Sequence, residues 1–314
     1  MSGTNTNNVD VKIYNDESQT AYLERLQDQL AVFNGASAGC LLLTAESIPG
    51  DLRKTAFYKG DASLRWRDPN SNEPVTSSGL SMDEQVGIKV PWMLDPKSAT
   101  EESFKRRARS LTEFAQLMGA ETADATVSYQ IDHALKALQA ASTSSGMTVK
   151  GTVGADGTKL FTKAMRRFGD KAERVKLFVM HSATYHDLVD KAISEVTYQS
   201  ESVVLYNGSP ASLGRPILVT DRCPIDKIFA LQPGAAVITE SQAPAFRFYE
   251  DNAHENLGVM YRAEGTFNID LLGYTYELSQ GINPKLDVIS SPAAWRKITK
   301  SDKLLAGVVI DLAA

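Results

Sequence analysis

Polar positions dominate the chain up to Val11, and that stretch is expected to be an extended arm. From Asp16 the pattern turns helical. Tyr22, Leu23, Leu26, Leu30 and Phe33 recur at helical spacing, Asp16 with Gln19 has the form of a capping box, and Gly35 ends the run. Such a helix carries one apolar stripe and needs a partner surface to stay folded. Cys40 to Leu43 reads as a short apolar strand or buried turn. Between Asp51 and Pro96, turn residues at Gly60-Asp61, Asp68-Pro69-Asn70 and Ser77-Ser78-Gly79 separate the strand-like pieces Thr55 to Tyr58 and Ser63 to Trp66. The return limb, Glu84 to Pro96, sets Val86, Ile88 and Val90 on one face, so the segment reads as a long two-stranded excursion. An excursion this long inside a compact domain is usually functional.

Two helical patterns follow. Ser98 with Glu101 is a second capping-box pattern, and Phe104, Ala108, Leu111, Phe114 and Met118 keep helical spacing up to Gly119, where a break or bend is expected. Val127, Ile131, Leu135, Leu138 and Ala141 resume the spacing until Ser144-Ser145-Gly146. Thr148 to Gly157 reads as a small hairpin and Lys159 to Phe168 as a basic helix. Val175 to Met180 is a buried strand and Ala183 to Ile193 a helix. Further strand material lies at 217–220, 228–231, 235–238, 246–249, 258–272 and 307–310. Helices and strands mix without a βαβ period, which gives an α+β class.

At 314 residues and 43% hydrophobic content the chain has enough material for a sizeable core. No run of about 18 apolar residues is present, so no membrane-spanning helix is expected. The N-terminus lacks the basic and apolar regions of a secretory signal. Cys40 and Cys223 lie far apart and form no framework, which fits a reducing cytoplasm. Lys+Arg is 33 and Asp+Glu is 38, so 33 − 38 = −5. A dedicated nucleic-acid binder carries clustered positive charge instead.

The candidate chemistry fails on spacing. Gly151, Gly154 and Gly157 with Lys159 do not make a phosphate loop, because Thr158 intervenes and Leu160 follows the lysine. His181-Ser182 and His186-Asp187 supply triad residue types without the G-x-S-x-G elbow, and His181 and His186 are not at helical metal-pair spacing. His133 and His254 read as structural or solvated. No catalytic, cofactor-binding or metal-ligating residue is therefore predicted, and no cofactor. Local positive charge collects at Lys159, Lys163, Arg166, Arg167, Lys171, Arg174 and Lys176 against Asp170 and Glu173. It is either a solvated face or a contact with DNA or an acidic partner through Lys163, Arg166, Arg167 and Lys171. Arg106 and Arg107, in Lys105-Arg106-Arg107-x-Arg109, read as a subunit contact.

The order of parts, from arm and helix through β-excursion and helical rod to a mixed domain and final strand, resembles the major capsid protein of tailed bacteriophages, with the Hong Kong 97-type fold. Three stretches carry the likeness. EQVGIKVPWMLDP before the Ser98 helix resembles the end of that family's extended loop. Gly214-Arg215-Pro216-Ile217-Leu218-Val219-Thr220-Asp221, with Cys223-Pro224, resembles a strand of its axial domain. Pro292 to Trp295 and Lys303 to Ile310 resemble its C-terminal segment.

The resemblance implies an N-terminal arm with helix over 1–47, an extended loop over 48–95 and a peripheral domain with spine helix over 96–174. An axial domain over 175–278 and a C-terminal return to the peripheral domain over 279–314 complete the expectation. It implies a homo-oligomer, hexamers and pentamers in an icosahedral shell, enclosing double-stranded DNA without sequence-specific binding. It further implies a separate scaffolding protein and a portal, leaves a decoration protein open, and implies no membrane. The location is the virion capsid, assembled in the host bacterial cytoplasm. Tyr22, Leu26 and Leu30 on the helix, with Phe57, Tyr58 and Trp66 on the excursion, are the expected subunit interface. No intersubunit crosslink is expected, although Lys54, Lys59 and Lys89 lie in the loop. An encapsulin-like compartment around an enzyme cargo is the alternative, and a hydrolase using His181 or His186 the remote one. A non-enzymatic structural role is the reading the residues favour.

Overall fold

The computed structural model describes residues 7–46, 48, 50, 52–59, 64, 66–74, 81–107, 110–157, 159–197, 214–251 and 255–312. The chain opens with helix α1 (Asn7–Ala36) and strands β1 (Leu41–Ala45), β2 (Arg53–Lys59) and β3 (Ser81–Thr100). Helices α2 (Glu101–Arg107) and α3 (Leu111–Ser144) follow, then β4 (Thr148–Lys150), α4 (Val153–Asp156) and α5 (Lys159–Arg166). Next come β5 (Leu177–Met180), α6 (Ser182–Thr197), β6 (Ile217–Val219) and β7 (Lys227–Leu231). The long strands β8 (Ala236–Asp251) and β9 (Gly258–Leu271) precede β10 (Tyr274–Tyr276), α7 (Leu286–Ile289), β11 (Trp295–Lys297) and β12 (Gly307–Asp311).

The first sheet has the order β1-β8-β9-β3-β2 and the second β4-β12-β7-β5-β6, while β10 and β11 pair separately. In the first sheet alternation sets the faces. Phe246 and Phe248 of β8 and Tyr261 and Ala263 of β9 are buried, while Arg247 and Arg262 between them point outward. Helices α1 and α3 cover that apolar face. In the second sheet β5 is buried along its whole length, as is β12 apart from its last residue, so both strands read as unbroken apolar runs.

Several sequence expectations change. Helix α1 begins at Asn7 and runs straight through Asp16 and Gln19, so neither the extended arm as far as Val11 nor a cap at Asp16 survives; residues 1–6 lie outside the described residues. Ser18, Tyr22 and Leu26, four apart, are 0%, 0% and 5% exposed and face this chain's own α3 and β8. Strand β3 continues to Thr100, so Ser98 caps no helix. The rod starts instead at Ser110, whose side chain accepts from the Glu113 N–H while the Glu113 carboxylate accepts from the Ser110 N–H. Helix α3 then runs unbroken through Gly119. The hairpin expected over 148–157 is a strand that pairs in parallel with β12, followed by the single turn α4.

Strand pairing joins segments that are distant in sequence. Strand β12 lies between β4 and β7, in one sheet with β5 and β6, and the C-terminal segment also packs on α3, where the Ser144 hydroxyl donates to the Trp295 carbonyl at 2.8 Å. Strands β8 and β9, within residues 236–271, pair with β1 and β3 respectively. Antiparallel pairing with β7 gives the apolar Gly307–Ile310 run a buried central position, which no single-strand pattern specifies.

Candidate subunit interface

The excursion begins at an anchored root. Strands β2 and β3 pair antiparallel from Arg53↔Gly87 to Lys59↔Ser81. The Arg53 guanidinium lies 3.5 Å from Asp270 and 3.7 Å from Glu46. The Lys89 ammonium is 7% exposed and donates to the carbonyls of Ile48, at 2.7 Å, and Gly50. On the opposite side Arg296 of β11 donates to Asp83 at 3.2 and 3.4 Å and to Glu277 at 2.6 Å. The Val86 N–H donates to the Thr275 hydroxyl at 2.9 Å. Burial holds the Asp270 carboxyl above the usual carboxylate range, and the nearby Arg53 partly offsets that.

Away from this root, apolar side chains stand in solvent. Leu64 is 103% exposed and Trp66 82%, so neither is part of the chain's own core. Phe57 is half-buried, and the Tyr58 side chain lies outside the described residues.

The other expected interface residues divide. Tyr22 and Leu26 are corrected: both are sealed in the core of their own chain and have no surface left for a neighbour. The Tyr22 hydroxyl donates to Glu240 at 2.8 Å, and its ring meets Phe246 at 5.1 Å. Burial raises the pKa of both groups of that hydrogen bond. Leu30 is half-buried against the same core. Arg106 bonds Glu102 one turn earlier at 3.0 Å, and Arg107 is exposed. Within the basic segment, Lys163 is paired with Asp156 at 2.6 Å. Arg167 donates to the carbonyls of Gly146 and Thr148, beyond the end of α3. Arg166 and Lys171 are exposed and make no ion pair among the described residues.

The described histidines and the two cysteines lie in separate parts of the fold. Ser182 gives its hydroxyl hydrogen to Asp221, while His181 Nδ1 accepts from the Ala183 N–H at 3.0 Å. His181 Nε2 lies 3.8 Å from Asp221 and its Nδ1 3.5 Å from the Ser182 hydroxyl, whose hydrogen goes to the carboxylate. A nucleophilic triad requires the imidazole to take the serine proton. His186 is exposed on α6, and His254 lies outside the described residues. His133 is buried, donates from Nδ1 to the Tyr129 carbonyl at 2.8 Å, and has its pKa lowered by burial. Cys40 and Cys223 are buried free thiols, each pushed up to about 12 by burial. Among the described residues no group of three or more His, Cys, Asp or Glu could hold a metal, and no helix is long and apolar enough to cross a membrane.

The Gp13-like family, described as major capsid protein 13-like, matches residues 10–309. The chain belongs to this major capsid protein family. Its fold is the α+β, Hong Kong 97-type fold of phage capsids. A chain of Mycobacterium phage Che8 is similar with a TM-score of 0.53 at 12% identity, over 84% of this chain and 86% of that one. A chain of Microbacterium phage Oxtober96 gives 0.54 at 10% identity, over 75% and 84%. A chain of the mature capsid of bacteriophage PhiM1 gives 0.51 at 10% identity, over 88% and 86%. At such identities these likenesses bear on the fold alone. A search of curated proteins finds no match. The capsid protein forms an oligomeric shell of a tailed phage, and its place is the virion capsid.

Proposed function

We propose that this capsid protein closes into an icosahedral shell of hexamers and pentamers around double-stranded DNA, with Trp66, Phe57, Tyr58, Arg106 and Arg107 in contacts between neighbouring copies. The observation that carries this reading is the exposed tip. An aromatic residue at 82% exposure on an anchored hairpin has an apolar surface and no cover from its own chain. A net charge of −5 suits a container that must release its DNA, since tight phosphate binding would oppose exit. Arg166 and Lys171, exposed and without an ion pair among the described residues, are available to an acidic partner or to DNA held close by. Assembly takes place in the host cytoplasm with a separate scaffolding protein and a portal, and the protein is structural rather than enzymatic.

Negative-stain microscopy of the chain expressed with and without its neighbouring genes tests the reading. Closed shells of uniform size are expected when the assembly partners are present. Monomers alone under every combination would overturn it.

A further inference from the structure

Strand β1 ends the first sheet, and among the described residues only β8 pairs with it. An edge strand leaves one side of its backbone without a ladder partner, and that side is a template for another strand. The N–H and C=O of one residue point to the same side, and the side alternates along the strand. The Cys40 carbonyl accepts from the Ala236 N–H at 3.2 Å, and the Glu46 N–H donates to the Glu240 carbonyl at 3.3 Å. Cys40, Leu42, Thr44 and Glu46 thus address β8, and Leu41, Leu43 and Ala45 address the open side. The strand itself, Leu41-Leu42-Leu43-Thr44-Ala45, carries none of the usual deterrents to strand addition: it has no charge and no proline, and its register with β8 has no bulge.

The end of α1 occupies the open side. The Asn34 carboxamide donates from Nδ2 to the Leu43 carbonyl and accepts at Oδ1 from the Leu43 N–H, each at 3.0 Å. One side chain thereby makes both hydrogen bonds that an incoming strand would make to Leu43. Ser37, fully buried, donates its hydroxyl hydrogen to the Leu41 carbonyl at 2.8 Å. A tight reversal brings the chain there. The Ser37 N–H donates to the Phe33 carbonyl and the Cys40 N–H to the Ser37 carbonyl, and Ala38 takes φ 49°, in the left-handed region that favours glycine. Helix α1 is therefore used twice: its apolar stripe covers the face of the sheet, and its polar end closes the edge.

We propose that Asn34 guards this edge: its carboxamide, with the Ser37 hydroxyl, holds β1 closed against antiparallel pairing with the same edge of a second copy. A shell protein meets its own copies at high local concentration, so an open apolar edge would compete with the productive contacts. Pairing of β1 with β1 would use one patch on both copies, and any chain with the edge open could do it. The guard role does not depend on which surfaces neighbouring copies share in the shell.

Amide exchange and light scattering of the full chain carrying Asn34→Ala test it. The Leu43 amide should exchange roughly tenfold faster, the ratio set by loss of one net hydrogen bond, while the Leu42 and Thr44 amides keep their protection. The variant should keep its circular dichroism and form irregular aggregates at the expense of dispersed subunits and shells. Adding Thr44→Lys at an exposed position puts a charge on the strand without restoring the lost bonds. The double variant should lose the aggregates and retain the fast Leu43 exchange. Unchanged Leu43 exchange in Asn34→Ala would overturn the closed edge. A variant that stays as dispersed as the parent, or aggregates that Thr44→Lys does not suppress, would overturn the guard role. The unsubstituted chain supplies a measurement that needs no variant: its Leu43 amide should be protected to within about tenfold of Thr44, and free exchange there would overturn the proposal.

Discussion

Gly119 of α3 and the Ser18 carbonyl of α1 approach so closely that a Cβ on residue 119 would lie 2.3 Å from that oxygen. The glycine therefore does not break the rod. It lets two long helices touch backbone to backbone, and the contact seats Ser18, Tyr22 and Leu26 over the first sheet. Around it Ser18 donates to the Tyr261 hydroxyl at 3.2 Å, and Arg25 donates to Asp124 at 2.9 Å.

Gly119→Ala separates helix propensity from packing. In an exposed helix the change would stabilise by roughly 1 kcal/mol. Here the new methyl meets backbone that cannot rotate away, so a net loss of about 1–3 kcal/mol is expected, as for other overpacked sites. Urea unfolding of the isolated subunit measures it, and a higher midpoint for the variant would mean that the helices are not held this close.

Removing residues 1–36 takes Tyr22 and Leu26 out of the core and uncovers Phe246, Phe248 and Tyr261, all buried or nearly so. The truncated chain should lose its cooperative melting transition or aggregate, because each exposed aromatic returns roughly 150–250 Å² of surface to water. A truncated subunit that melts like the full chain would place the helix on a neighbouring copy instead.

Trp66→Ala should act in the opposite way. The side chain is 82% exposed within its own chain, so circular dichroism and melting of the subunit should stay unchanged while shell formation weakens. Unfolding of the isolated variant would assign Trp66 to an intrachain core.

The Tyr22–Glu240 pair sets a pH dependence. Burial raises the Glu240 pKa, so between its unfolded and folded values the native state binds more protons than the unfolded one. Stability from this group is then greatest in acid and declines as pH rises through the folded value. Glu240→Gln should flatten that decline, which thermal melts between about pH 4 and 8 would reveal. Equal pH slopes for variant and parent would sink the assignment.

Arg296→Ala cuts the tie from β11 to Asp83 at the base of the hairpin. The Arg296 side chain is 48% exposed, so the global cost should stay near or below about 1 kcal/mol. Local opening should still rise, and amide exchange at residues 81–87 should quicken relative to α3. Unchanged exchange would show that the strand ladder alone holds the root.

Much of this architecture is legible in the chain itself. Helical spacing marks Tyr22, Leu26, Leu135 and Leu138, and unbroken apolar runs mark β5 and β12, because burial on one face or on both leaves a periodic trace in sequence. The Ser110–Glu113 capping box is hidden in the sequence, because the helical spacing of Phe104, Leu111, Phe114 and Met118 runs across it and Ser98 with Glu101 has the same form. What the sequence could not determine was partnership. An apolar stripe states that something covers it without naming the cover, so Tyr22 suited a neighbouring subunit as well as its own β8. A glycine in a helix reads as a break or as a close approach until the opposing backbone is placed. Strand order is likewise non-local: β12 enters between β4 and β7 through hydrogen bonds to residues far away in sequence, and alternation along one strand is the same whichever strand lies beside it. The tertiary structure made those choices, because burial and backbone pairing are satisfied between segments rather than within them.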